Sequence, residues 1–155
     1  MEKTETTDAF WTAAKESGVP LGNDYWVRRI GANKETVDII LGLVLSGEKC
    51  GTFGLKHILD RQPGPGPVVD ADAVVVDMTG EPHAIVKTTQ LTPVAYQDIT
   101  EAHLTIEGPG ARKLETWQNI HWPYWTKLIE PYGLEPSQDM MVMVEHFDLV
   151  FPRTV

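Results

Sequence analysis

The chain has 155 residues, enough for one domain with its own core, and 42% of them are hydrophobic. Thirteen basic against twenty-two acidic side chains leave a formal charge of −9. That balance disfavours a generic nucleic-acid binder, because phosphate backbones are held mainly by clustered Lys and Arg.

Cys50 is the single cysteine, so no intramolecular disulfide is expected, and five tryptophans are more than a disordered chain would carry. Met1 to Ala9 is polar and acidic, without the basic start and apolar core of a signal peptide. The longest apolar stretch, Ile39 to Leu45, is interrupted by Gly42 and too short to cross a bilayer. A cytoplasmic protein with no membrane partner is expected.

In chain order, Phe10 to Ser17 predicts a short helix closed by Gly18 and Pro20. Lys34 to Ser46 predicts a stronger one, since Val37, Ile40, Leu41, Val44 and Leu45 recur at helical spacing and Gly47 stands where helices stop. Glu48 to Gly54 reads as a glycine-rich turn. Gln62 to Pro67 is loop, because its prolines remove donors and fix φ. Ala71 to Met78 and His83 to Leu91 read as strands joined into a hairpin by Thr79–Pro82. Asp98 to Glu107 predicts a further helix, capped by Thr100 and ended by Gly108. Lys113 to Glu130 predicts another helical stretch, bent or interrupted at Pro123, and Met140 to Phe151 a long apolar strand central to the sheet. Strands with helices between them indicate an α+β fold with a barrel-like sheet.

Familiar motifs are mostly missing. Gly47-Glu48-Lys49-Cys50-Gly51-Thr52 has the ingredients of a phosphate loop in the wrong order, and no GxSxG elbow occurs. The histidines show neither HExxH nor paired CxxC spacing, and His103 with Glu107 lacks a third ligand, so no metal and no cofactor are expected.

What remains is Lys49 and Thr52, which a tight turn with Gly51 and Gly54 could bring to one spot. In Ser–Lys type hydrolases a neutral lysine takes the proton of a hydroxyl nucleophile. Burial favours that neutral form, whereas a preceding helix C-terminus opposes it. Glu107 is the matching carboxylate; at the end of a helix its anion would be disfavoured. From spacing alone, a solvated lysine beside a turn threonine and an exposed helix-end glutamate are the commoner readings. Trp117, His121 and Trp125 recur at four-residue spacing and read as core, while Cys50 reads as a small half-buried residue.

The ordered set Gly47-x-Lys49-x-x-Thr52, Thr100-x-x-His103-x-x-x-Glu107-Gly108, Leu114-x-x-Trp117, His121 and Val142-x-Val144-Glu145-x-Phe147 resembles the ASCH domain family, from about Trp26 to Phe151. The resemblance implies a small PUA-like β-barrel with flanking helices around a cleft. Residues 26–155 would form that domain, and residues 1–25 an N-terminal extension, helical and packed on it. The chain is also similar to bacterial amidohydrolases that remove the acetyl group of N4-acetylcytidine. That likeness implies catalytic roles for Lys49, Thr52 and Glu107, with either Thr52 or a water as nucleophile.

A cytosine ring would need a stacking partner and polar contacts, for which Phe53, Trp26 and Tyr124, and Arg28 or Arg29, are the candidates; for the arginines a surface pair is the competing reading. The expected partner is a small-molecule nucleoside, with no cofactor; RNA is disfavoured by the net charge. The alternatives are a binding module for RNA or a modified nucleotide, or a metal-independent ribonuclease using Lys49. The oligomeric state is not legible.

Overall fold

The computed structural model describes residues 1–153; Thr154 and Val155, the last two residues of the expected 26–155 domain, lie outside the described residues. Five strands form one sheet in the order β1-β3-β4-β5-β2. They are β1 (Tyr25–Arg28), β2 (Gly51–Leu55), β3 (Asp72–Val76), β4 (Pro82–Ala95) and β5 (Met141–Phe151). β1 runs parallel to β3 and every other pairing is antiparallel. The β3–β4 hairpin expected from sequence is present, and the long C-terminal strand lies inside the sheet between β4 and β2.

The sheet is open, which corrects the expected β-barrel. β1 and β2 are its two edges, and among the described residues they share no ladder. Closure needs a continuous run of strand–strand hydrogen bonds. Here the edge strands have only four and five residues, and side chains from both, Arg28 and Thr52, line a cavity instead.

The helices are α1 (Glu5–Glu16), α2 (Lys34–Ser46), α3 (Lys56–Leu59) and α4 (Leu114–Ile129). α2 has the bounds its periodicity predicts. Asn33 caps it, accepting from the Thr36 N–H at 2.9 Å, and Gly47 ends it in the left-handed conformation at φ +81°. α1 starts earlier than expected, because Thr4 and Thr7 form a reciprocal cap at its start. Its Trp11 and Ala14 pack on Tyr25, Val27, Val74 and Ile85. α4 runs through Pro123 without a break and buries Trp117, Trp125 and Ile129.

Two expectations fail. Glu48–Gly54 is not merely a turn: Gly51–Leu55 is the edge strand β2, whose Phe53 and Leu55 enter the core while Thr52 and Gly54 alternate to the other face. Asp98–Glu107 is not an α-helix but two short 3-10 turns, Tyr96–Asp98 and His103–Ile106. Ile99, Leu104 and Ile106 all enter the core, a set that no single helical stripe provides, and Glu107 leaves the second turn extended. The helix-end argument for Glu107 therefore does not apply.

Alternation along the strands sorts the side chains into two faces. Val27, Val74, Val76 and Ile85 pack on α1, whereas Ala73, Val75, Ala84, Val86 and Phe147 pack on α2. Trp26 and Arg28 share the α2 side of β1, and Glu145 shares that side of β5 with Phe147. An irregularity between Thr88 and Gln90 inserts one residue into β4, so that Leu91 comes opposite Glu145. The α2 face thereby collects the polar groups of the site.

Candidate active site

The cavity encloses about 620 Å³, within the range of small-molecule sites, and Lys49, Thr52, Glu107, Arg28, Glu145 and His121 all line it. Five segments deliver these groups. Past Gly47 the chain turns back, with the Lys49 N–H donating to Leu43 O at 3.0 Å and the Cys50 N–H to Ile106 O at 2.9 Å. The second bond lays the Glu107 segment alongside the start of β2. Arg112 fastens the same join from outside, donating from Nε to Glu107 O and from Nη2 to Glu48 O, each at 2.7 Å.

Gly51 makes this approach feasible. A Cβ there would lie 2.3 Å from the Glu145 carbonyl oxygen and 2.5 Å from Ile106 Cδ1, closer than real Cβ atoms come. Gly108 has a similar role, since a Cβ would lie 2.6 Å from Leu43 Cδ1.

Lys49 Nζ donates to Glu107 Oε1, and both residues are buried, at 5% and 6% exposure. A charged pair removed from water is costly unless its partners are held in place. Here the Arg112 and Cys50 contacts hold the two backbones together. Thr52 lies on β2 directly opposite Glu145 on β5. Side chains so placed share one face of the sheet. Lys49 is bonded to Glu107 and not to Thr52, and no hydrogen bond to the Thr52 hydroxyl occurs among the described residues.

A second ion pair shares the cavity. Arg28 donates bidentately to Glu145, Nη1 to Oε2 at 2.8 Å and Nη2 to Oε1 at 3.0 Å. Thr88 donates to the same Oε2 at 2.8 Å. β3 and β4 separate β1 from β5, so this pair joins strands that are not neighbours in the sheet. The guanidinium also lies 4.8 Å from the Trp26 ring. Arg28 is thus fixed on an edge and a face, and is not a surface side chain. Sequence reading missed Glu145 as a site group. The available signal was a carboxylate within the apolar run Val142 to Phe147, which must find a partner once buried.

The other candidates separate. Tyr124 lines the cavity and is 40% exposed. Phe53 also lines it but is 7% exposed, with its ring edge-on to Trp117 at 5.1 Å. Trp26 is not in the cavity wall; it packs against the α2 core beneath Arg28 and borders a separate, shallower pocket. Arg29 lines the cavity and donates from Nε to Asp77 O at 3.1 Å. Cys50 is exposed.

His121 stacks on Trp117 with centroids 4.4 Å apart, and its Nδ1–H donates to Trp117 O at 2.8 Å. Burial pushes its pKa below the ordinary histidine value, which the Trp117 carbonyl only partly opposes. The ring is therefore neutral near pH 7, with Nε2 an unprotonated acceptor. Among the described residues, no group of three or more His, Cys, Asp and Glu side chains is arranged to hold a metal, and no helix is long and apolar enough to cross a membrane.

Residues 26–151 match the family model for the ASCH domain. Among solved structures, the chain is similar to an ASCH domain from Lactobacillus crispatus JV V101, at 22% identity and a TM-score of 0.85, covering 97% of each chain. It is also similar to protein EF3133 from Enterococcus faecalis V583, at 21% identity and a TM-score of 0.80, covering 94% of this chain and 88% of that one. At these identities the structural likeness speaks to fold. Comparison with curated proteins gave no match. With the family model reaching from within β1 to the end of β5, the chain belongs to the ASCH domain family.

Proposed function

We propose that the cavity hydrolyses the exocyclic amide of N4-acylated cytosine nucleosides, releasing cytidine and a carboxylate, with Thr52, Lys49 and Glu107 as the catalytic residues. The observation that carries this reading is the buried Lys49–Glu107 contact in the same cavity wall as a hydroxyl free of other bonds. A proton passing from ammonium to carboxylate along that contact leaves an amine and a carboxylic acid with no change in net charge. Substrate entry expels water, and desolvation favours that neutral pair.

The amine then accepts the Thr52 proton while Oγ1 attacks the acyl carbon, giving a tetrahedral oxyanion. The Glu107 acid donates its proton to the departing N4 as the carbon–nitrogen bond breaks, which releases the cytosine amine. The acyl–Thr52 ester remains, beside an ammonium and a carboxylate. Water attacks the ester, losing a proton to Glu107, and Thr52 departs with a proton from Lys49; acetic acid leaves and ionises in water, and return of the Glu107 proton to Lys49 restores the starting pair. Arg28, held by Glu145 and Trp26, is assigned to the carbonyl oxygen of the pyrimidine ring, and Tyr124 to the ring face. A bidentate, stacked arginine reads a planar acceptor with little entropy left to lose.

The test is turnover of N4-acetylcytidine by Lys49→Met, Thr52→Ala and Glu107→Gln. Loss of a positioned acid or base costs roughly 10²–10⁴ in rate, and each variant is expected to fall by that much. Thr52→Ser is expected to retain a measurable rate. Wild-type rates in all three losses of function would remove the proposal.

A further inference from the structure

The catalytic groups use one part of the cavity. Much of the remaining wall is apolar, and two helices contribute to it: Ile39, Ile40 and Leu43 of α2, and Ile120 and Leu128 of α4. Ile120 and Leu128 lie two turns apart on one stripe of α4, beside the core stripe of Trp117 and Trp125. Ile39 and Ile120 are 56% and 51% exposed, so both helices leave large apolar side chains at the opening, uncovered by any part of the described chain. Apolar surface grouped in this way, continuous with a buried polar site, marks a place where a ligand sheds water.

We infer that the α2–α4 wall is an acyl-chain subsite, and that the favoured substrates carry a longer, apolar acyl group on the amide nitrogen. The inference rests on the amide-hydrolase reading and names the substrate class within it. An amide substrate has two arms. The pyrimidine arm presents carbonyl and ring-nitrogen acceptors, and its partner is the Arg28 guanidinium of β1. Beyond its carbonyl the acyl arm offers only carbon, and its partners are the two aliphatic helix faces. An acetyl group would leave most of that wall wet, whereas a chain of five or six carbons covers it.

The test is kcat/KM of the full chain on N4-acetyl-, N4-butanoyl- and N4-hexanoylcytidine, measured in parallel. One fully buried methylene is worth about fourfold. Because the cavity is open, a rise of about tenfold or more from acetyl to hexanoyl is expected. In Ile39→Ser and Ile120→Ser, two exposed positions where folding is not at stake, the hexanoyl-to-acetyl ratio is expected to fall severalfold. A flat or falling series, or a ratio unchanged in both variants, overturns the subsite while leaving the amide-hydrolase reading intact. Absence of turnover across the whole series sinks that reading, and the subsite with it.

Discussion

Replacing Arg28 with methionine strips a buried carboxylate of its counter-charge. The side chains of Arg28 and Glu145 are only 11% and 3% exposed, and the pair is bidentate at 2.8 and 3.0 Å. In the variant, the Thr88 hydroxyl would be the remaining side-chain donor to Glu145. Breaking such a pair from one side costs about 3–5 kcal/mol, most of it the penalty of an uncompensated charge. At about 2–4 °C per kcal/mol for a domain of this size, the melting temperature should fall by roughly 6–20 °C. Removing both charges together should cost far less, because apolar residues of similar volume replace buried pairs with little loss. The double variant Arg28→Met/Glu145→Met is therefore expected to be more stable than Arg28→Met alone. Urea unfolding followed by tryptophan fluorescence, on the wild type, both single variants and the double, closes the cycle. A loss under about 1 kcal/mol in Arg28→Met, or a double variant as unstable as the sum of the singles, would refute the claim that this pair is desolvated and coupled.

Two further outcomes follow from the geometry. Gly51→Ala puts a methyl group against the Glu145 backbone oxygen and Ile106, neither of which can swing away freely; a loss of about 1–3 kcal/mol in denaturant unfolding is expected. Turnover should drop further than stability, because the Glu107 segment is pushed off Lys49. His121 has a pKa below its ordinary value of 6.5 because burial disfavours its charged form. The unfolded chain then binds the proton more readily, so this residue's share of stability is complete above about pH 6.5 and is lost as pH falls below it. Melting temperatures taken from pH 7.5 down to 5 should decline less steeply in His121→Phe than in the wild type; parallel declines would show that His121 is not buried in its neutral form.

Much of the scaffold was legible in the sequence for local reasons. α2 carries its own apolar period and two caps, and the β3–β4 hairpin has β-branched runs around Thr79–Pro82, so neighbours alone specify them. β2 was hidden because its outer positions are a glycine and a threonine. Gly51 is there to let Glu145 approach, which a sequence does not display. Asp98–Glu107 imitated a helix through Thr100 and Gly108, but Ile99, Leu104 and Ile106 are drawn into the core from positions a helix would splay apart. His103, read as helical, instead accepts from the Thr100 N–H at 2.9 Å.

Of the site, Lys49, Thr52 and Glu107 were singled out through short-range spacing and family resemblance. Their meeting in one cavity depends on the long-range bonds of Cys50 and Arg112, beyond any local pattern. Glu145 escaped for the same reason: its partners, Arg28 and Thr88, lie 117 and 57 residues away in the chain.

The decisive assay incubates the purified chain with N4-acetylcytidine and, separately, with an unmodified single-stranded RNA, following cytidine formation in the ultraviolet and RNA length on a denaturing gel. Cytidine and acetate in equal amounts, intact RNA, and loss of turnover in Lys49→Met are the results expected of a Thr52–Lys49–Glu107 amidohydrolase. Intact N4-acetylcytidine together with shortened RNA would contradict it and assign the cavity to phosphodiester chemistry.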